Sequence, residues 1–445
     1  MRQIVLVGFL QAQNCSNFAG SWRHPDSRLD FMSPEFYAHI ARTLEAGKFQ
    51  LCFFDDRLGM PEFHGGRFAE AVANGIRCVK MDPIACLMPM AMATSRIGLG
   101  CTYSVTYYQP YHVARLFQTL DLMTKGRAAW NCVTSMNDIE AQNMGLEEAP
   151  DHDSRYDRAD EFMKVVHGHW DTWADDALIV DRATGRFADP SKVRRIDHKG
   201  EHFSSRGPFT VPRTPQGHPV VIQAGQSGRG KRFAAEWGEV VFTSNPDREA
   251  ASGIYAEIKA DAARQGRNPD HIKIAALCHP VVAETRAEAE DKFALIERLP
   301  LEVDSLMLLS EATNFDFGAK PIDEPFTDEE LASMSGTQAG RNRVLEVLGG
   351  RKPTPRDFIT ITRRGKLTQP WVGSTTEVAD IFEEWFTTPA ADGFVIGAPC
   401  VPGSYEDFVR LVVPELQRRG LFHMDYTGPT LRENLGLPRP ASSPR

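Results

Sequence analysis

Along the chain, short apolar runs alternate with longer stretches in which apolar side chains recur every three or four positions, the pattern of strands followed by amphipathic helices. The runs at 3–9, 50–54, 97–101, 127–133, 219–224, 239–243, 272–282 and 393–396 predict strands. The periodic stretches at 33–47, 82–94, 110–123, 154–173, 228–237, 246–264, 285–298, 375–387 and 404–419 predict helices. Two helix starts are punctuated, by Ser33 before Pro34 and by Asp82 before Pro83. Each pairs a capping side chain with a residue whose missing N–H costs nothing in a first turn. Strands and helices in strict alternation imply parallel pairing through right-handed crossovers, and about eight such units predict an α/β fold of the closed (β/α)8 TIM-barrel type. Residues 1–435 read as one such domain. Two regions break the rhythm, about 174–218 and 300–370, and are expected as insertions on the C-terminal face of the strands. The Pro- and Ser-rich 436–445 is expected as a flexible tail.

Composition narrows the function. With 50 basic and 59 acidic side chains the net charge is -9, which argues against a nucleic-acid or anionic-membrane partner. The first apolar run is too short for a secretion signal, and no run reaches the length of a membrane span. Eight cysteines contain no CxxC pair and several sit in apolar runs, so reduced thiols and a cytoplasmic location are expected. His167 and His169 lack a third ligand in sequence, so no metal site is expected.

In a barrel of this kind chemistry gathers where strands end. Those ends supply Phe9 and the following LQAQNCSNFAGSWRH with Asn17, the run Phe53-Phe54-Asp55-Asp56, Thr102, and Asn131, Thr134 and Ser135 of WNCVTS. A Gly-rich turn, QAGQSGRG, enters a predicted helix at Ser227, where backbone amides and a hydroxyl suit a phosphate. In DHDSRYDRADEF, His152, Arg155 and Tyr156 share a helix face. No GxGxxG follows the first strand, which weighs against a bound dinucleotide.

These segments resemble one family over nearly the whole chain. GSWRHPDS, FYAHIARTLEAGKF, TYYQPYHVARLFQTLD, GRAAWNCVTSMNDIEAQNMG, RGPFTVPRTPQGHPVVIQAGQSGRGKRFAA and ADGFVIGAPCVPGSYEDFVRLVVPELQRRG are similar to stretches of the nitrilotriacetate, EDTA and dibenzothiophene-sulfone monooxygenases of the bacterial luciferase superfamily. The resemblance implies FMN, used as FMNH2 with O2, at the barrel mouth, and a separate NAD(P)H:flavin reductase to supply it. Carried over by position, the flavin contacts are Asp56, Thr102, Ser135, His152, Tyr156 and Ser227. The substrate pocket falls on Phe9, Asn17, Phe53, Phe242 and Glu311, with Asn131 and Asn17 as candidate catalytic residues. The sulfone-cleaving relatives carry histidines where this chain has Asn17 and near Glu311, so that particular reaction is not implied. The expected activity is oxidation of a small aromatic or heterocyclic molecule with C–N or C–S cleavage, by a homodimer or homotetramer. Flavin degradation or ring opening, a flavin-binding protein without turnover, and a deazaflavin-dependent dehydrogenase remain alternatives.

Overall fold

The eight apolar runs become eight parallel strands: β1 (Val5–Gln11), β2 (Leu51–Asp55), β3 (Gly98–Ser104), β4 (Ala128–Val133), β5 (Val220–Gln223), β6 (Val240–Thr243), β7 (Lys273–Ala283) and β8 (Gly393–Gly397). Strands β1 to β5 pair in chain order, β5 pairs β6, β6 pairs β7, and β8 joins β7 back to β1. The sheet is therefore a closed barrel, as predicted. This computed structural model describes residues 2–442 except Gln226 and Pro246, with Ala339 described by its backbone alone. Gln226 of the Gly-rich turn, the predicted helix start at Pro246 and the tail from 443 lie outside the described residues.

The period of two along each strand sorts side chains between two cores. Val5, Val7, Leu51, Phe53, Ala129, Val220, Ile222, Val240, Phe242, Ala275 and Val395 fill the barrel interior. Leu6, Cys52, Cys101, Trp130 and Val221 face outward against the helices. The predicted caps form: Ser33 Oγ accepts from Phe36 N at 3.2 Å, and an Asp82 carboxylate oxygen accepts from Ile84 N at 2.9 Å.

The strand-start end is closed by the short helix Leu431–Leu435, whose Leu431 and Leu435, with Leu437, join the interior cluster. Arg432 is buried there. It donates through both terminal nitrogens to the Glu239 carboxylate at 2.6 and 2.9 Å and through Nε to His218 O at 3.1 Å. The expected flexible tail is instead anchored up to Pro440. Leu437 is buried, Arg439 Nη1 donates to an Asp175 oxygen at 2.7 Å, and Arg213 donates to Pro440 O.

One insertion departs from its predicted place. Residues 174–218 follow the helix His152–Trp170 and precede β5, so they leave and enter at the strand-start side. Gln216 there donates to Ala128 O at the beginning of β4, 2.9 Å away. The second insertion stands over the strand ends as predicted, but it is mostly helical: Glu302–Thr313, Asp328–Ser333, Gln338–Leu348 and Pro355–Thr362. A cluster of aromatic rings holds it, with Phe317, Phe326 and Phe358 centroids 5.2–5.4 Å apart. A ninth strand, Pro370–Ser374, pairs with the outer half of β7.

Candidate functional site

At the strand ends a cleft runs from the turn after β5 to the turn after β2. One part, about 250 Å³, is lined by Gly225, Tyr156, Ser135 and Asn137 and ends at Asp56 and Arg57. From Asp56 and Arg57 a second part of about 340 Å³ continues past Arg77, Lys80 and Tyr108. A narrow recess lined by Thr102, Ser104, Ser135 and Asp56 opens between them.

The β5 end has the chemistry of an oxyanion seat. Ser227 caps the helix Gly228–Trp237, its Oγ accepting from Gly230 N at 3.0 Å. His152 Nε2 lies 3.3 Å from that Oγ, and the His152 ring stands 5.1 Å from the Tyr156 ring, centroid to centroid. Gly225 and Gly230 keep the space beside the hydroxyls open: a Cβ on either would stand 2.8 or 2.7 Å from Tyr156 Oη. A helix start, two hydroxyls and two positions without side chains fit a phosphate monoester. Arg155, expected on the same face, is turned elsewhere and donates to Ser135 O at 2.6 Å.

Further along, Asn131 Nδ2 donates to Thr102 Oγ1 at 2.9 Å, Thr102 Oγ1 donates to Phe54 O at 3.1 Å, and Ser135 Oγ lies 3.0 Å from Ser104 Oγ. Asn131 Oδ1 is buried with no hydrogen-bond partner. That is an acceptor that a bound group can satisfy, since buried polar atoms are seldom left bare. Asp56 is pushed up to about 7 by burial, partly offset by Lys80 at 4.0 Å. Burial acts on its neighbour Asp55 too, but Lys80 and Arg57 outweigh it and hold that carboxyl below the usual range.

The predicted substrate residues divide. Phe9 stacks on Phe53 at 5.6 Å, and Phe53 meets Phe242 edge-on at 4.9 Å. The three form the apolar floor of the mouth, with Phe53 2% and Phe242 8% exposed. Asn17 and Glu311 stand above it and meet through Arg77, which donates to Asn17 O at 2.6 Å and lies 3.9 Å from Glu311.

Four residues at this mouth were not singled out from the sequence: His279, Arg57, Arg77 and Arg364. His279 points inward from β7, with Nε2 2.6 Å from Asn17 Nδ2 and Nδ1 against Thr368 O. Burial pushes it down to about 4, so the ring is neutral. The Thr368 carbonyl only accepts, so Nδ1 carries the proton and Nε2 accepts from the Asn17 amide. Asn17 Oδ1 is thereby left as a second buried acceptor without a partner. Among the described residues no three or more potential metal ligands gather, and no helix is long and apolar enough to cross a membrane.

Comparison with known proteins agrees with the barrel fold. A profile for the luciferase-like monooxygenases matches residues 14–389. The chain is similar to a dibenzothiophene-sulfone monooxygenase from Rhodococcus erythropolis, 42% identical over 98% of this chain and 97% of the relative. It is also similar to nitrilotriacetate monooxygenase component A from Aminobacter aminovorans, 39% identical over 95% and 94% of the two chains. Among solved structures, a riboflavin lyase determined with a modified FMN and riboflavin superposes with a TM-score of 0.89 at 31% identity, covering 100% of this chain and 98% of the other.

Proposed function

The chain belongs to the luciferase-like monooxygenase family, and from that premise we propose that it is the oxygenase component of a two-component system. It uses reduced FMN and dioxygen to oxidise a small organic substrate beside a heteroatom, cleaving a C–N or C–S bond. The observation that carries the cofactor reading is the open cradle at Gly225 and Gly230 beside Tyr156 and Ser227. Reduced FMN, when bound, supplies the electrons and the activation of dioxygen. The residues do the rest. Ser227, Tyr156, His152 and the first amides of the helix Gly228–Trp237 hold the phosphate. Ser135 would face the chain oxygens, Thr102 would offer its remaining acceptor lone pair because its proton is held by Phe54 O, and Asp56 would accept a ring N–H. Asn131 and Asn17 present their free carbonyl oxygens to the reacting region, while Phe9, Phe53 and Phe242 keep water from its floor.

The sulfone and nitrilotriacetate activities of the named relatives support attack at sulfur- or nitrogen-bearing carbon. The designation of the second relative as component A supports a separate NAD(P)H:flavin reductase. Incubated alone with NADH and FMN, the chain is expected not to consume NADH. Adding an unrelated flavin reductase should start substrate oxidation, because free reduced flavin diffuses between the two. Direct NADH oxidation by this chain would end the two-component reading. The hairpin Leu178–Asp181 with Arg186–Ala188 exposes Leu178, Ile179, Val180 and Phe187, which supports a homodimer or homotetramer, measurable by light scattering. Eight free thiols, seven of them buried, support a cytoplasmic setting.

Asp56 makes flavin affinity pH-dependent. Burial pushes its carboxyl up to about 7, and the ionised form accepts the ring N–H through a stronger, charge-assisted bond than the neutral carboxyl offers. FMN affinity should rise as pH increases through about 7, and Asp56→Asn should flatten the rise. A wild-type titration curve with no pH dependence between 6 and 8 would exclude this role. Stability of the flavin-free chain has the opposite sign. The folded carboxyl is neutral where the unfolded one, with a pKa of about 4, has ionised, so stability falls as pH climbs from about 4 through 7.

A further inference from the structure

Above the barrel mouth, three guanidinium groups converge on one buried carboxylate. Arg57 Nη1 lies 3.5 Å from Glu311 Oε1, and Arg364 Nη2 and Arg77 Nη1 lie 3.8 and 3.9 Å from Oε2. The Glu311 side chain is 3% exposed, and its Oε2 has no hydrogen-bond partner. All three distances are beyond hydrogen-bonding range, so Glu311 neutralises charge without using the N–H donors. Those donors find little else. Arg57 Nη1 donates to Asn137 Oδ1 at 3.1 Å, Arg77 Nη2 to Asn17 O at 2.6 Å and Arg364 Nε to Leu308 O at 3.2 Å, while Arg77 Nε is buried without a partner.

The acids around these cations leave their N–H donors largely unused. Asp55 faces Lys80 and Arg57, and burial pushes Asp56 and Glu140 toward their neutral forms. Burial together with the neighbouring Arg77 and Arg57 pushes Arg364 down to about 10, while the nearby Glu311 raises Arg57 above its usual range. Arg57, Arg77 and Lys80 all line the cavity of about 340 Å³, with Asp56 and Asp82 at its edge and the apolar walls of Met60, Met81 and Tyr108. The same cavity meets the proposed flavin cleft at Asp56.

We propose that this cavity takes the substrate by a carboxylate, seated on the guanidinium forks of Arg57 and Arg77 with Lys80 beside them. Glu311 is the built-in counter-ion that holds the forks apart until the substrate arrives. Planar guanidinium groups bind carboxylates through paired N–H donors, which a lysine cannot reproduce. Much of the desolvation of these cations is already met in the folded chain, so the incoming anion meets guanidinium donors that Glu311 does not engage, in a low-dielectric pocket. The apolar walls suit the remainder of the molecule, next to the ring end of the flavin. The inference rests on the monooxygenase reading for the purpose of the cavity, but not for its charge.

The test is calorimetric titration of the full chain, with and without saturating FMN, using benzoate, phthalate and succinate and their amides. At least one carboxylate should bind tenfold or more tightly than its amide and should not be displaced by FMN. Arg57→Gln and Arg77→Gln should each lose tenfold or more of that affinity. Glu311→Gln should gain affinity, and its lowered melting temperature should recover when the carboxylate is added. A misfolded variant cannot produce gains and losses of opposite sign in one pocket. Equal binding of carboxylates and amides, indifference to Arg77→Gln, or displacement by FMN would overturn the proposal, the last by assigning the cations to the flavin. FMN titration alone tests the cofactor reading, so a chain that binds carboxylates but not FMN would separate the two.

Discussion

Gly230→Ala should weaken FMN binding by at least a hundred-fold in a chain that remains folded. The added Cβ would stand 2.7 Å from Tyr156 Oη, 2.9 Å from Ser227 Oγ and 3.1 Å from the backbone carbon of Gly225. Tyr156 cannot simply retreat, because its buried ring packs against Phe233 and His152. Ser227 Oγ is tied to the Gly230 amide. Both hydroxyls must therefore leave the phosphate seat together. A hydrogen bond to a charged group contributes about 1.5–3 kcal/mol. Two lost bonds amount to roughly 3–6 kcal/mol, or about two to four powers of ten in affinity. Ser227→Ala removes one of the two and should cost about ten- to a hundred-fold. Gly253→Ala, on the helix Arg248–Arg264, is the control, since nothing lies within 4 Å of a Cβ there, and its affinity should match the parent. Asn17→Ala and Phe242→Ala should also leave FMN affinity unchanged while altering substrate turnover. Fluorescence titration decides the matter, and a Gly230→Ala chain that binds FMN like the parent would remove the phosphate from this turn.

At the other end of the barrel, Arg432→Met should cost about 3–5 kcal/mol of stability, the usual result of stripping one partner from a buried ion pair. The arginine stitches the closing helix to Glu239 and to His218 O, and it also donates to Pro438 O at 3.2 Å. Its loss strands a buried carboxylate whose Oε2 also accepts from Val221 N at 3.0 Å. Adding Glu239→Gln to the same chain should recover part of the loss, because the second change removes the unpaired charge. Denaturant unfolding of the parent and the two variants tests this, and a single-variant loss below about 1 kcal/mol would show that the pair is not a structural anchor. FMN affinity should be untouched, since the cofactor cleft lies at the opposite strand ends.

The barrel was legible because its strands are uniform. Buried on both faces, they read as continuous apolar runs, and helices such as Pro110–Met123, Gly228–Trp237 and Thr375–Thr387 carry clear periodicity and ends. The second insertion read as irregular because its helices are short and lean on one another through phenylalanines far apart in sequence. Its capping boxes at Thr327 with Glu330 and Thr354 with Asp357 were the available signal. The first insertion was misplaced because its position in the helix–strand order, which fixes the face, was outweighed by its loop-like composition. The proposed phosphate end of the site was visible as local motifs around 152–156 and 225–230. The charged mouth was not, because Arg57, Arg77, Glu311 and Arg364 meet only through the fold. His279 was hidden in an apolar run, although the period of two from Ala275 and Leu277 marks it as inward-facing.

The position of β8 between β1 and β7 also sets an order of events during synthesis. The barrel cannot close before residue 397 has left the ribosome. Every proposed flavin contact is made long before, between Asp56 and Ser227, on strands β2 to β5 that pair with one another in sequence. At roughly 5–20 residues per second, translation leaves an interval on the order of ten to thirty seconds in which the cofactor half exists with open sheet edges. A ligand that binds this half stabilises it by mass action during its most aggregation-prone stage. On the proposed cofactor reading, cellular FMN supply should therefore bear on how much protein is recovered as well as on how fast it turns over.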